Sequence, residues 1–314
     1  MKSIAIHTQN LSRNFDTVRA VDNLTVEVPS GIVFGFLGPN GAGKTTTIRL
    51  LLGLLEPSQG SANVLGFDVQ AQAADIRQRS GALLEHNGLY ERLSARDNLE
   101  FYGRVWHLPV EERKTRIKEL LTHLGLWERR DELVGKWSTG MKQKLALART
   151  LLHRPDLIFL DEPTAGLDPV AAAGVRDDLA SLVEREGVTV FLTTHNLTEA
   201  EKLCHQVGVI RQGKLVAVGP LDQLRAGAGG PHVEITGRGF TPEVINQLKS
   251  RPEVTAVDLH NNRLTIHLAE VIDSAPLVTQ LVSSGAQVEE VSKGKASLEE
   301  VFLTLMDENQ EAEK

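Results

Sequence analysis

The chain has 314 residues, 41% of them apolar and 24% charged, enough for one large domain and a smaller one with sizeable cores. Net charge is –7, and the excess is local: residues 1–220 hold 26 basic and 26 acidic side chains, residues 221–314 hold 8 and 15, which argues against a nucleic-acid-binding surface in the C-terminal region. Cys204 is the single cysteine, so a disulfide framework or cysteine metal cluster within one chain is excluded. No stretch reaches roughly 18 uninterrupted apolar residues, and the start lacks the apolar core of a signal peptide.

The first 35 residues read as short strands at 4–7, 18–21 and 24–28, with a Pro29-Ser30-Gly31 turn leading into an apolar strand at 32–37. Next comes Gly38-Pro39-Asn40-Gly41-Ala42-Gly43-Lys44-Thr45 and then Thr46, which opens a helix over 45–55. Strand, glycine-rich turn and helix in this order make a phosphate cradle. Glycines let backbone N–H groups point inward, and the helix adds its N-terminal dipole. Lys44 would place its ammonium on the β- and γ-phosphates of ATP, and Thr45 its hydroxyl on Mg²⁺.

Residues 60–84 return to strands and turns, and 91–150 read as helical. Leu93, Leu99 and Phe101 form one apolar pattern there; Ile117, Leu120, Leu121 and Leu124 form another at i, i+3, i+4, i+7 spacing. A third helix spans 141–152, stopped near Pro155. The run 157–160 is apolar throughout, as in a central parallel strand, and ends in Asp161 and Glu162. Paired acids after a buried strand are costly without a cation nearby. Asp161 is placed to hold the Mg²⁺ hydration shell, and Glu162 to polarise an attacking water and take its proton. A helix at 170–185 and a strand at 188–193 follow, and then His195, which is placed to hydrogen-bond a γ-phosphate. A helix at 198–205 and a hairpin over 207–218 close this region. Beyond a glycine-rich linker at 223–230, strands at 232–236, 254–260, 263–268 and 286–291 with helices at 242–250 and 275–284 give a βαββαβ order, and a helix at 298–307 ends it.

Several of these motifs, in this order, resemble the nucleotide-binding domain of ABC transporters. Residues 38–46 resemble its Walker A segment and 157–161 its Walker B strand. Ser138-Thr139-Gly140-Met141 after Trp137 is similar to the signature sequence, Asp168 sits in a D-loop-like segment, His195 resembles the switch histidine, and Phe15 the aromatic that stacks on adenine. The resemblance implies an α/β P-loop NTPase core with a mixed sheet, an antiparallel β subdomain and a helical subdomain at about 88–152. The whole ATP-binding domain would cover 1–222. A small α+β accessory domain would follow at 231–306, with a disordered tail at 307–314. It also implies ATP sandwiched between the P-loop of one chain and the signature of a second, hence a homodimer. The working partners would be separately encoded transmembrane permease subunits, with the chain peripheral on the cytoplasmic face of the cell membrane. Ser138 and Gly140 at a helix start can offer a hydroxyl, a bare N–H and a dipole to the γ-phosphate.

Two departures stand out. The signature reads Trp-Ser-Thr-Gly-Met, and Glu85 replaces the usual Q-loop glutamine, keeping a possible Mg²⁺ ligand but losing an amide donor. Both occur in the branch of exporter-like ATPases that serve ABC-2 type permeases, which residues 296–303 also resemble. The implied function is the ATP-hydrolysing subunit of such an exporter. The alternatives are a non-transport ABC ATPase, such as an iron–sulfur assembly component, and an ATP-binding regulator.

Overall fold

The computed structural model describes residues 3–227, 231–295 and 297–302. Contacts divide the chain into two compact units, Met1–Val218 and Gly219–Lys314.

In the first unit, β1 (Ile4–Phe15) and β2 (Val18–Pro29) form a long antiparallel hairpin, which extends through β4 (Gln59–Val64) and β5 (Phe67–Asp68) into a four-stranded sheet. The short strands expected at 4–7, 18–21 and 24–28 are thus parts of two longer ones, broken up in the sequence by irregular register between Thr8 and Asn14. The second sheet has six strands, in the order β10 (Lys214–Pro220), β9 (Gln206–Arg211), β3 (Val33–Leu37), β8 (Thr189–Thr194), β7 (Leu157–Asp161), β6 (Ser80–Leu83). From β9 to β6 neighbouring strands are parallel. Strands β3, β7 and β8 are buried at every position. That burial explains their unbroken apolar character, since a parallel sheet is covered on both faces. Phe34, Phe36 and Phe159 all pack around Phe191, with ring centroids 5.4–5.8 Å away.

Helix α1 (Lys44–Leu51) follows β3 and buries Ile48, Leu50 and Leu51 in the core shared by the two sheets. It stops short of residue 55 because Gly53 adopts a left-handed φ of 62°, a conformation that ends helices. After α2 (Ala73–Arg79), a helical insertion separates β6 from β7: α3 (Ala95–Val105), α4 (Val110–His123) and α5 (Thr139–Leu151). Leu99, Ile117, Leu120, Leu121 and Leu124 are buried as their spacing predicts. Phe101 is 41% exposed, because two residues past Leu99 it points away from that buried face; it packs edge-on against Tyr90 and Tyr102. Helices α6 (Pro169–Glu186) and α7 (Leu197–Leu203) flank β8.

The second unit begins with α8 (Leu221–Gly227), which corrects the reading of 223–227 as linker. Asp222 in its first turn and Arg225 in its last suit the helix dipole, a signal outweighed in the sequence by the following glycines. Residues 228–230 of the expected linker, 303–307 of the expected closing helix, and the tail at 307–314 lie outside the described residues. Strands β11 (Pro231–Arg238), β12 (Val254–His260), β13 (Arg263–Leu268) and β14 (Gln287–Lys295) form an antiparallel sheet in the order β12-β13-β11-β14. Helices α9 (Pro242–Lys249) and α10 (Ala275–Ser283) bury Val244, Leu248, Leu277 and Leu281 with Val233, Ile235, Leu264 and Ile266 in a separate core.

Candidate functional site

The C-terminal ends of β3, β7 and β8 open onto a cleft of about 690 Å³. Its lining includes Asn40, Gly41, Gly43, Lys44, Thr45, Thr46, Glu85, Thr139, Asp161, Glu162 and His195. Strand ends of an open parallel sheet are where such folds place ligands, because loops and helix N-termini converge there.

The loop between β3 and α1 is built for an anion. Gly43 takes φ 109°, and a Cβ there would collide with the carbonyl of Ala20. No side chain caps α1 and no acid sits in its first turn, so its leading N–H groups face the cleft with a favourable dipole for negative charge. Lys44 is 6% exposed. Its Nζ donates to the carbonyls of Gly38 at 2.8 Å and Pro39 at 3.2 Å and lies 3.1 Å from Glu162 Oε1. Thr47, unremarked in the sequence, donates to the Gly43 carbonyl and steadies the turn.

Beside it, Thr45 Oγ1 donates to Asp161 Oδ2 at 2.7 Å, joining residues 116 positions apart. The other oxygen, Oδ1, accepts from Thr193 Oγ1 at 2.5 Å. Glu162 carries φ 52°, a backbone conformation that a non-glycine residue adopts at a cost. Its N–H donates to the carbonyl and hydroxyl of Thr193, and its Oε2 meets Nδ1 of His195. One carboxylate therefore touches both Lys44 and His195. Thr193 was legible only as one of two threonines ending an apolar strand.

The donor set fits Mg²⁺. Thr45 Oγ1 and Asp161 Oδ2 are hard oxygen ligands side by side. Among the described residues no group of three or more His, Cys, Asp or Glu could hold a metal ion. Glu85, expected as a third ligand, lines the cleft and is exposed, with no hydrogen bond or ion pair to any described residue.

The signature-like residues sit at the start of α5. Ser138 is the N-cap, accepting from Met141 N at 3.3 Å, and Asp168 caps α6 through Val170 and Ala171. Ser138, Gly140, Met141 and Asp168 lie outside the cleft lining, as do Pro39 and Ala42. Phe15, at the end of β1, is also outside it, 39% exposed with the Arg13 guanidinium 4.7 Å over its ring.

Comparison with known proteins identifies the chain. The ABC transporter family model matches residues 21–165. The bacitracin transport ATP-binding protein BcrA of Bacillus licheniformis is 34% identical over 97% of this chain and 98% of the relative. The chain belongs to the ABC transporter ATP-binding family. The daunorubicin/doxorubicin resistance ATP-binding protein DrrA of Streptomyces peucetius is 36% identical over 96% of this chain and 92% of its own length. Residues 219–306 match the C-terminal domain model of DrrA1-3-like ATP-binding proteins. A solved ATP-binding subunit of an ABC transporter superposes with a TM-score of 0.64 at 29% identity, over 72% of this chain and 93% of that one. This ABC ATP-binding subunit is an ATPase with the P-loop NTPase fold. Among the described residues, no helix is long and apolar enough to cross a membrane.

Proposed function

We propose that this chain powers an ABC-2 type exporter as a homodimer enclosing two ATP molecules, docked under separately encoded permease subunits on the cytoplasmic face of the membrane. The observation that carries this reading is the contact of one strained carboxylate, Glu162, with both Lys44 and His195 at the mouth of an anion-binding loop. Relatives named for bacitracin transport and daunorubicin resistance, aligned along nearly the whole chain, favour export.

In this reading Lys44 and the N–H groups of residues 41–46 neutralise the β- and γ-phosphates, while Phe15 stacks on the adenine. Thr45 and Asp161 would hold Mg²⁺, with Glu85 within the same cleft as a further oxygen donor; the ion would offset charge on the phosphate oxygens. Glu162 accepts a proton from the attacking water, and His195 orients the γ-phosphate. Ser138, Thr139, Gly140 and Met141 of one copy close over the nucleotide of the other, with Asp168 at the seam.

Residues 1–222 would supply this chemistry and 231–306 an accessory domain, a division that the two compact units support. The exposed Tyr90, Phe101 and Val105 form an apolar patch beside the 85–90 segment, suited to a helix from the permease. Glu162→Gln should retain ATP binding, reduce turnover by about 10³-fold and accumulate a dimer in ATP. A variant that stays monomeric in saturating ATP by size-exclusion chromatography overturns the sandwich.

A further inference from the structure

Glu199 is 2% exposed, on the first turn of α7. Among the described residues it has no cationic partner. Both carboxylate oxygens accept from Thr164 Oγ1 at 2.8 Å, and Oε2 also accepts from Thr194 Oγ1 at 3.1 Å. A buried carboxylate held by two hydroxyls is an expensive way to pack a helix, since neither donor repays the loss of solvation as a cation would. Burial, and then the nearby Glu199 carboxylate, push the Cys204 thiol up to about 12.

What the carboxylate joins explains why it is there. Thr164 lies two residues after Glu162, in the segment that runs on to Asp168. Thr194 lies one residue before His195. The same segment is tied to α5 by Gln143, whose Nε2 donates to the Pro163 carbonyl at 2.5 Å. Asn196 holds Glu199 in place by accepting from its backbone N–H at 3.1 Å. No side chain of this cluster is in the cleft lining except Gln143, so its influence on the reaction runs through the loops and not through nucleotide.

We infer that Glu199 is a positioning residue for ATP hydrolysis, a clamp that fixes the loop after Glu162 against the turn before His195 and so sets the separation of the two groups. This rests on the roles proposed above for Glu162 and His195.

The test is steady-state ATPase kinetics of the full-length protein. Glu199→Ala should lower kcat by about 10–100-fold, the loss that misplacement by an ångström produces, with KM for ATP within about twofold because the phosphate loop does not touch Glu199. Glu199→Gln, which can accept from one threonine and donate to the other, should recover kcat to within about threefold of wild type. Thr164→Val, which keeps the volume and leaves Thr194 paired, should lower kcat by about 10-fold even if Glu199→Ala folds poorly. On a His195→Ala background, Thr164→Val should add less than about twofold, because the group being positioned is gone.

Unchanged kcat in Thr164→Val overturns the clamp. So does a loss that is just as large on the His195→Ala background, since that marks a general packing defect. Failure of the underlying reading appears elsewhere: if Glu162→Gln still turns over ATP at the wild-type rate, the catalytic pair is wrong whatever Thr164 and Glu199 do.

Discussion

The two halves of the candidate site are held by different forces. The phosphate-loop half grows from β3, β7 and β8, strands buried at every position and locked by phenylalanine packing around Phe191. The signature half rides on α5, in the helical insertion, whose Leu145, Leu147 and Leu151 are buried too but whose anchorage adds several polar ties. Arg116, 1% exposed, donates to both oxygens of Glu186 and to the Leu151 carbonyl. Arg149 donates to the Ala82 carbonyl, and His153 to that of Ser80. Apolar packing holds no titrating group, whereas buried polar ties depend on protonation and geometry. The half built on apolar strands therefore offers acid less to act on than the half tied by Arg116, Arg149 and His153.

The widest separation between the halves should come from Lys44→Ala. It removes the one buried cation of the phosphate loop, so turnover should fall by about 10³-fold or more and ATP affinity with it, read by equilibrium binding and ATPase assay.

Acid should act on the other half. Burial pushes His153 down to about 4 from 6.5, helped by Arg149 and Arg116. Its Nδ1 is buried without a hydrogen-bond partner among the described residues, and the ring stacks on Trp106 at 3.9 Å. The unfolded chain binds this proton below pH 6.5 and the folded chain only near 4. The His153 contribution is thus complete above pH 6.5 and declines as pH falls toward 4, by roughly 3 kcal/mol. Urea melts across that range should show the decline, and His153→Gln should flatten it.

Ser138→Ala sharpens the contrast at smaller amplitude. Nucleotide binding to the single chain, measured with ADP, should stay within about twofold, while kcat falls by about 10–30-fold. Loss of the α5 cap should also cost about 1 kcal/mol in stability. Smallest of all is Glu85→Gln, which keeps an oxygen in the same place. It should move kcat by less than about threefold, with a rise in the Mg²⁺ concentration for half-maximal activity.

Much of the fold was readable because its signals are local. An apolar run, a glycine turn and a helix lie within twenty residues around Lys44, and the acids follow their strand directly. The unread parts depend on partners far apart in sequence. Thr193 matters because it reaches Asp161 across 32 residues, and Glu199 because it reaches Thr164 across 35. Asn98 is similar: fully buried, it holds the Tyr90 backbone by both N–H and carbonyl, yet looks like an ordinary polar residue in an amphipathic helix. Phe101 misled for the opposite reason, since an aromatic in an apolar pattern reads as core although it lies on the surface. Helix α8 was hidden by the glycines that follow it.

The hydroxyl of Tyr102 on α3 donates to the carbonyl of Gly88, only three residues from Glu85 in the cleft. The strip between them is not extended: residues 85 and 86 bend, Asn87 accepts from the Leu89 N–H, and Gly88 takes a left-handed φ of 65°. Tyr102 thus moors one end of the turn that carries Glu85 to the aromatic face of α3 and leaves the turn itself free to hinge.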